Sequence, residues 1–123
     1  MPAHGKRVFG QNILRARQAL GWSQEELAHR LGYKSKSTIN KIEKGINDIP
    51  QQKIAEFARV LGTTPATLLG LVDDETRAKT EATAGIVVRM RSDPRFREAV
   101  MLLYEEENED TFGKMLDMLR LLK

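Results

Sequence analysis

One short run of the chain combines hydroxyl, amide and ammonium groups at helical spacing. In GYKSKSTINKIEKG, residues 32–45, four polar side chains follow one another at i, i+3, i+4 and i+7: Ser37, Asn40, Lys41 and Lys44. In an α-helix this spacing places them on one face. Ammonium groups bind phosphate, whereas amide and hydroxyl groups can meet the edges of bases. Ile39 and Ile42 lie on the other face, so we predict a helix that is anchored by isoleucines. Taken alone, its polar face fits two interpretations: a lysine-rich surface that is only solvated, or a surface open to a DNA duplex.

The first seventy residues are predicted to form the helices that position this run. Three polar residues, Ser23, Ser35 and Thr64, are placed to cap the helices that follow them, and Ser23 with Glu26 forms a capping box. Apolar residues recur at helical spacing after each cap. The predicted helices are residues 10–20, a helix beginning at Gln24, residues 36–44, a helix opening at Pro50 and a short one opening at Pro65.

The remaining residues are predicted to form a linker and a helical extension. Residues 71–81 are polar and lack periodicity, so we interpret them as a linker, and residues 82–123 as a helical region for dimerisation or interaction. Two apolar stripes there predict a hairpin: Phe96, Val100, Leu103 and Tyr104, then Phe112, Met115, Leu116, Leu119 and Leu122. Because a lone hairpin cannot hide so much apolar surface, we expect dimerisation, with docking on the front domain as the alternative. No β-branched alternation appears, which predicts an all-α fold.

Composition narrows the classes of function. Residues 1–70 carry eleven Lys or Arg against five Asp or Glu, and residues 71–123 carry nine against twelve, so only the front half favours a polyanion. Cysteine is absent, and neither a membrane-length apolar run nor a leader segment is seen, so we expect a cytoplasmic protein. No catalytic motif or metal-ligand spacing is present, so no enzymatic activity, cofactor or metal site is expected. We interpret Lys6 and Arg7 as part of a disordered terminus that attracts phosphate loosely, with a short basic arm as the alternative.

The segment QEELAHRLGYKSKSTINKIEKG, with Arg17 before it and LGTTPATLLG after it, resembles the helix-turn-helix of the phage repressor and Cro family, also called the Xre family. The resemblance covers residues 8–70 and implies a five-helix DNA-binding domain. Its turn has one residue more than the commonest form of the motif. Carried over by position, the resemblance implies a set of DNA-contacting residues: Gln24, Lys34, Ser35, Lys36, Ser37, Thr38, Asn40, Lys41, Lys44 and Asn47.

The resemblance also implies an ion pair between Arg17 and Glu43, which would orient the third helix, while a phosphate contact is the alternative role for Arg17. The leading hypothesis is a dimeric transcriptional repressor of phage or mobile-element type that occupies an inverted-repeat operator on double-stranded DNA. An antirepressor or a protease would then be its inactivating partner. Two other hypotheses stay open: an antitoxin that represses its own operon and binds a toxin, and a protein-interaction adaptor that keeps the fold.

Overall fold

The computed structural model describes the backbone of residues 3–105 and the side chains of residues 5–102. Within this range the chain forms seven α-helices and no strand, which confirms the predicted all-α class. The helices are α1 (Ala3–Ala19), α2 (Gln24–Leu31), α3 (Lys36–Glu43), α4 (Gln51–Val60), α5 (Pro65–Leu68), α6 (Asp74–Ser92) and α7 (Pro94–Glu105). The chain divides into two compact units, residues 1–84 and residues 85–123, and α6 continues from the first into the second.

The first unit takes its helix boundaries from local capping chemistry. The hydroxyl of Ser23 accepts a hydrogen bond from the backbone N–H of Glu26 at 3.0 Å, and that of Thr64 accepts one from Thr67 at 3.1 Å. These bonds satisfy N–H groups that the first turn of a helix leaves without partners. The carboxylate of Glu26 does not complete the predicted capping box and instead accepts from Arg30 Nε at 2.7 Å.

The core of this unit lies between α1 and the helices that follow it. The rings of Phe9 on α1 and Phe57 on α4 meet edge to face, with centroids 6.0 Å apart. Seven large side chains in the unit are at most 1% exposed: Phe9, Ile13, Leu27, Ile39, Phe57, Leu61 and Leu68. Burial of Ile39 among them fixes which face of α3 is turned inward.

A buried amide joins the two ends of the five-helix domain. Asn12, only 6% exposed, donates from Nδ2 to the carbonyl of Leu68 at 3.0 Å and to that of Thr67 at 3.4 Å. The carbonyls at the end of α5 have no partner within the helix, so the Asn12 side chain helps to satisfy them. This contact links α1 to α5.

Two segments are more helical than the sequence indicated. Helix α1 begins at Ala3 rather than at residue 10, so Lys6 and Arg7 belong to a helix and the interpretation of a disordered terminus is wrong for them. Residues from Asp74 onward lie in α6, so most of the predicted linker is helical. The predicted domain boundary therefore falls inside the first unit. The role of residues 71–81 as a linker stays a prediction.

The second unit has a small core of its own. Phe96 and Val100 on α7 are 4% and 3% exposed and cluster with Ile86 and Met90 on α6. In the single chain α6 therefore covers Phe96 and Val100, and their part in a dimer surface stays a prediction. Met101 and Leu102 remain 48% and 58% exposed. The other predicted dimer residues lie outside the described side chains: Leu103, Tyr104, Phe112, Met115, Leu116, Leu119 and Leu122.

Candidate nucleic-acid interface

The third helix divides into a buried edge and an open face. Ile39 and Ile42 are 0% and 3% exposed, and they anchor α3 in the core. Lys36, Ser37, Lys41 and Lys44 are exposed, and Thr38 and Asn40 are half-buried. The open face thus presents ammonium, hydroxyl and amide groups together, which is the combination that the spacing predicted. A helix of this kind fits the major groove of DNA, which is about 12 Å wide.

The turn before α3 exposes two of the predicted contact residues, Lys34 and Ser35. Gly32 ends α2 in the left-handed conformation, with φ of 78°, and the backbone N–H of Tyr33 donates to the carbonyl of Ala28 at 2.9 Å. The Tyr33 ring then packs against Phe57 at a centroid distance of 6.3 Å. Tyr33 therefore packs against the core from within the longer turn, and Lys34 beside it is exposed.

Two hydroxyls at the start of α3 are bonded to each other. The Ser35 hydroxyl accepts from the backbone N–H of Ser37 at 3.3 Å, and the two side-chain oxygens are 2.6 Å apart. Both residues are exposed. A hydroxyl can donate one bond and accept two, so Ser37 keeps capacity for an outside partner while it is held at the helix N-terminus. An N-terminus with free N–H groups also favours an anion such as phosphate.

A network of charged and amide side chains joins α1, α2 and α3. Arg17 donates to both oxygens of Glu43, with Nε 2.7 Å from Oε2 and Nη2 3.0 Å from Oε1. The third guanidinium nitrogen of Arg17, Nη1, donates to the carbonyl of Trp22 at 2.8 Å. The side chains of Arg17 and Glu43 are 11% and 5% exposed. The structure thus brings the two residues of the expected ion pair together in a mostly buried position.

Gln24 makes a contact within the protein that the sequence did not predict. Its side-chain Nε2 donates to Glu43 Oε1 at 2.9 Å, so in the free protein the amide N–H group is directed into the Arg17–Glu43 network. The side chain is half-buried, and its backbone lies at the start of α2. The backbone N–H of the residue remains well placed for an anion, whereas the side chain first stabilises the position of α3.

Sequence reasoning missed the part of α1 that adjoins the end of α3. Gly45 ends α3 with φ of 74°, and a Cβ on this residue would lie 3.2 Å from Arg7 Cγ. Lys6 Nζ lies 3.4 Å from Asp48 Oδ1 in the loop that also contains Asn47. Asn47 is exposed, and its contact with phosphate stays a prediction. The signal that could have located Lys6 was the glycine pair Gly10 and Gly45, which indicates close packing of two backbones.

Other kinds of site receive no support among the described residues. No group of three or more His, Asp or Glu side chains in residues 5–102 is arranged to hold a metal ion. In the same part of the chain, every helix is too short or too polar to cross a membrane. The positive, open face of α3 is therefore the candidate site.

Comparison with known proteins agrees with this geometry. A helix-turn-helix family model matches residues 13–68, which include the last part of α1 from Ile13 onward and the whole of α2, α3, α4 and α5. A search of curated proteins and one of solved structures found no significant match. Residues 13–68 are accordingly a helix-turn-helix domain of the Xre/Cro type, and the protein is a DNA-binding transcription regulator.

Proposed function

We propose that this regulator is a dimeric repressor of phage or mobile-element type, which binds an inverted-repeat operator and blocks access of RNA polymerase to the promoter. The observation that supports specific DNA reading is the open face of α3. Lys41 is exposed and Asn40 half-exposed on that face, while Ile39 is buried beneath it. Lysine can donate to guanine O6 or N7, and an asparagine amide can pair with adenine.

The reason to expect a dimer is geometric and energetic. One helix-turn-helix reads about half a site, and phosphate contacts alone give weak binding that depends strongly on salt. Two copies related by a two-fold axis place two recognition helices in successive major grooves, about 34 Å apart. Met101 and Leu102 on α7 supply exposed apolar surface that a second copy would cover.

The roles of the individual DNA contacts follow from their positions. Base reading is proposed for Lys36, Ser37, Asn40 and Lys41, which lie on α3. Phosphate contact is proposed for the residues at the borders of α3 and for Gln24 at the start of α2: Gln24, Lys34, Ser35, Thr38, Lys44 and Asn47. This division separates residues that set specificity from residues that set affinity and register.

Selection of bound sequences from a pool of random duplex DNA tests the proposal directly. The expected product is an inverted repeat whose half-site centres are about 10 base pairs apart. A selected single half-site would contradict the dimer, and recovery of the unselected pool would contradict sequence-specific binding. Repression is then measured with a reporter gene placed behind the selected sequence, where activation would contradict the repressor role.

A further inference from the structure

The first turns of α1 are packed against the end of the recognition helix. At Gly10, a Cβ atom would lie 2.8 Å from the carbonyl oxygen of Glu43, a separation that real side chains do not tolerate. At Gly45, a Cβ would lie 3.2 Å from Arg7 Cγ and 3.3 Å from Arg7 Cα. Two glycines thus allow the backbones of α1 and α3 to approach closely. The residues at the start of α1 are therefore held in a fixed place beside the exit of α3.

Lys6 precedes Arg7 in α1, so the packing of Arg7 on Gly45 also determines where the backbone of Lys6 lies. The Lys6 ammonium lies 3.4 Å from Asp48 Oδ1, with side chains 24% and 60% exposed. Asp48 follows Asn47 in the loop between α3 and α4, which is the loop expected to touch a phosphate. An ion pair with so much solvent contact is weakly held and readily exchanges one anion for another. A phosphate oxygen that approached this loop would meet the Lys6 ammonium already in place.

The dimensions of DNA place phosphates at this position. An α-helix with its side chains is about 10–12 Å across and fills a major groove that is about 12 Å wide. Because α3 has eight residues, it is also only about 12 Å long, so elements that adjoin its ends reach the sugar-phosphate backbones that border the groove. Lys6, carried by α1 to the end of α3, belongs to these elements.

We propose that Lys6 is a phosphate-contacting residue of the DNA interface, and that it exchanges Asp48 for a phosphate oxygen when DNA binds. The proposal rests on the proposed use of the α3 face. In free protein Asp48 holds the Lys6 side chain near the loop. In the complex the Asp48 carboxylate opposes the nearby phosphates, so it weakens binding that depends on charge.

The test measures how the full chain binds a random-sequence DNA duplex at several salt concentrations. Fluorescence anisotropy of the labelled duplex reports the binding. The variants are Lys6→Ala, Lys6→Arg and Asp48→Asn. A plot of the logarithm of the association constant against the logarithm of the salt concentration has a negative slope, and loss of one phosphate contact makes it shallower by about 0.9. If wild type and variant bind equally at 1 M salt, this change corresponds to about an eightfold weaker affinity of the variant at 0.1 M salt. We expect Lys6→Ala to show this loss, Lys6→Arg to restore most of the binding, and Asp48→Asn to bind more tightly than wild type.

Lys79 and Glu75 provide a matched control, since they form a 3.2 Å ion pair on α6, outside the helix-turn-helix. Lys79→Ala and Glu75→Gln make the same changes in net charge as Lys6→Ala and Asp48→Asn. If the control variants change the affinity for DNA as much as Lys6→Ala and Asp48→Asn do, the effect is due to net charge and the proposal is overturned.

Lys44→Ala separates this proposal from the proposed function, because Lys44 at the end of α3 is a proposed phosphate contact. A slope that falls for Lys44→Ala but not for Lys6→Ala overturns the role of Lys6 alone. If neither variant changes the slope, both the α3 interface and the role of Lys6 are overturned. If Lys6→Ala lowers the melting temperature and leaves the slope unchanged, Lys6 is a structural residue only and the proposal also fails. A shallower salt slope for Lys6→Ala, with little change in melting temperature, supports the role of Lys6 as a phosphate contact.

Discussion

The guanidinium of Arg17 and the carboxylate of Glu43 form a bidentate ion pair that connects α1 to α3. The two N–O distances are 2.7 and 3.0 Å, and Gln24 at the start of α2 adds a third donor to the same carboxylate. The groups that hold α3 are thus on the two helices that precede it. Together with the burial of Ile39 and Ile42, this arrangement fixes the rotation of α3 about its axis and hence which residues it offers to DNA.

Arg17→Ala should destabilise the first unit by about 3–5 kcal/mol, because it leaves the Glu43 carboxylate mostly buried without its main partner. Arg17→Lys should cost less, since it keeps the charge but loses the planar fork. Urea unfolding followed by the fluorescence of Trp22, the single tryptophan, measures both changes.

Arg15→Ala is the matched control for Arg17→Ala, because Arg15 is an exposed arginine on the same helix. Its stability should stay within about 0.5 kcal/mol of wild type. An Arg17→Ala protein that is as stable as wild type but binds DNA less tightly would show that Arg17 is a phosphate contact instead.

Asn40→Ala and Lys41→Ala should each relax the preference for one base pair of the operator half-site. A bidentate contact to a base discriminates by about 1–3 kcal/mol, and its loss affects one position only. Binding to a panel of single-base operator variants, at fixed salt, measures the effect. Lys44→Ala is the comparison, since a phosphate contact at the end of α3 should weaken all the operators equally. Uniform weakening by Asn40→Ala would remove that residue from the set of base readers.

The helix boundaries that the sequence predicted well are those fixed by local chemistry. Ser23, Ser35 and Thr64 cap α2, α3 and α5, and each can be recognised from residue type and position. The two faces of α3 were likewise predictable, because a short helix with two isoleucines has one possible buried edge. The Arg17–Glu43 pair was anticipated from family resemblance, since a pair 26 residues apart has no local signal.

The first part of α6, which lies in the predicted linker, was missed because it depends little on apolar periodicity. Its first turn is capped by Asp73, whose Oδ1 accepts from the backbone N–H of Thr76 at 2.7 Å. Ion pairs at i, i+4 follow, with Lys79 3.2 Å from Glu75 and Arg77 3.2 Å from Glu81. Each such pair adds about 0.3–0.5 kcal/mol, so several together support a polar helix. The start of α1 was missed for a different reason, since its packing on Gly45 is a long-range contact.

Asn12 offers a test of a contact that the sequence did not indicate. Asn12→Ala should destabilise the first unit by about 1–3 kcal/mol, because the carbonyl of Leu68 loses its donor in a buried place. Gln11→Ala, an exposed change on the same helix, should have little effect. Chemical unfolding followed by Trp22 fluorescence measures both. Equal stability of the two variants would mean that water replaces the amide.

Leu102→Asp should weaken self-association of the full chain and reduce operator affinity more than affinity for a half-site. The reason is that a charge on exposed apolar surface must be desolvated when a second copy covers it. Leu71→Asp makes the same change at a leucine that is 74% exposed between α5 and α6, and it should leave association unaltered. Sedimentation equilibrium and operator titration measure the two effects. A Leu102→Asp protein that still dimerises would move the interface away from this part of α7.

Asp93 should make the α6–α7 junction sensitive to acid. A hydrogen bond from the backbone N–H of Phe96, aided by Arg89, holds the pKa of Asp93 below its usual value. The charged form is therefore the one that folding favours. The contribution of this charge to stability is complete above the ordinary aspartate pKa of about 3.9 and is lost as pH falls below it.

Asp93→Asn keeps the capping oxygen and loses the charge, whereas Asp93→Ala loses both. At neutral pH the melting temperature by circular dichroism should fall in the order wild type, Asp93→Asn, Asp93→Ala. Below about pH 4 wild type should approach Asp93→Asn, and a gap that stays constant with pH would show that the Asp93 charge does not stabilise the junction.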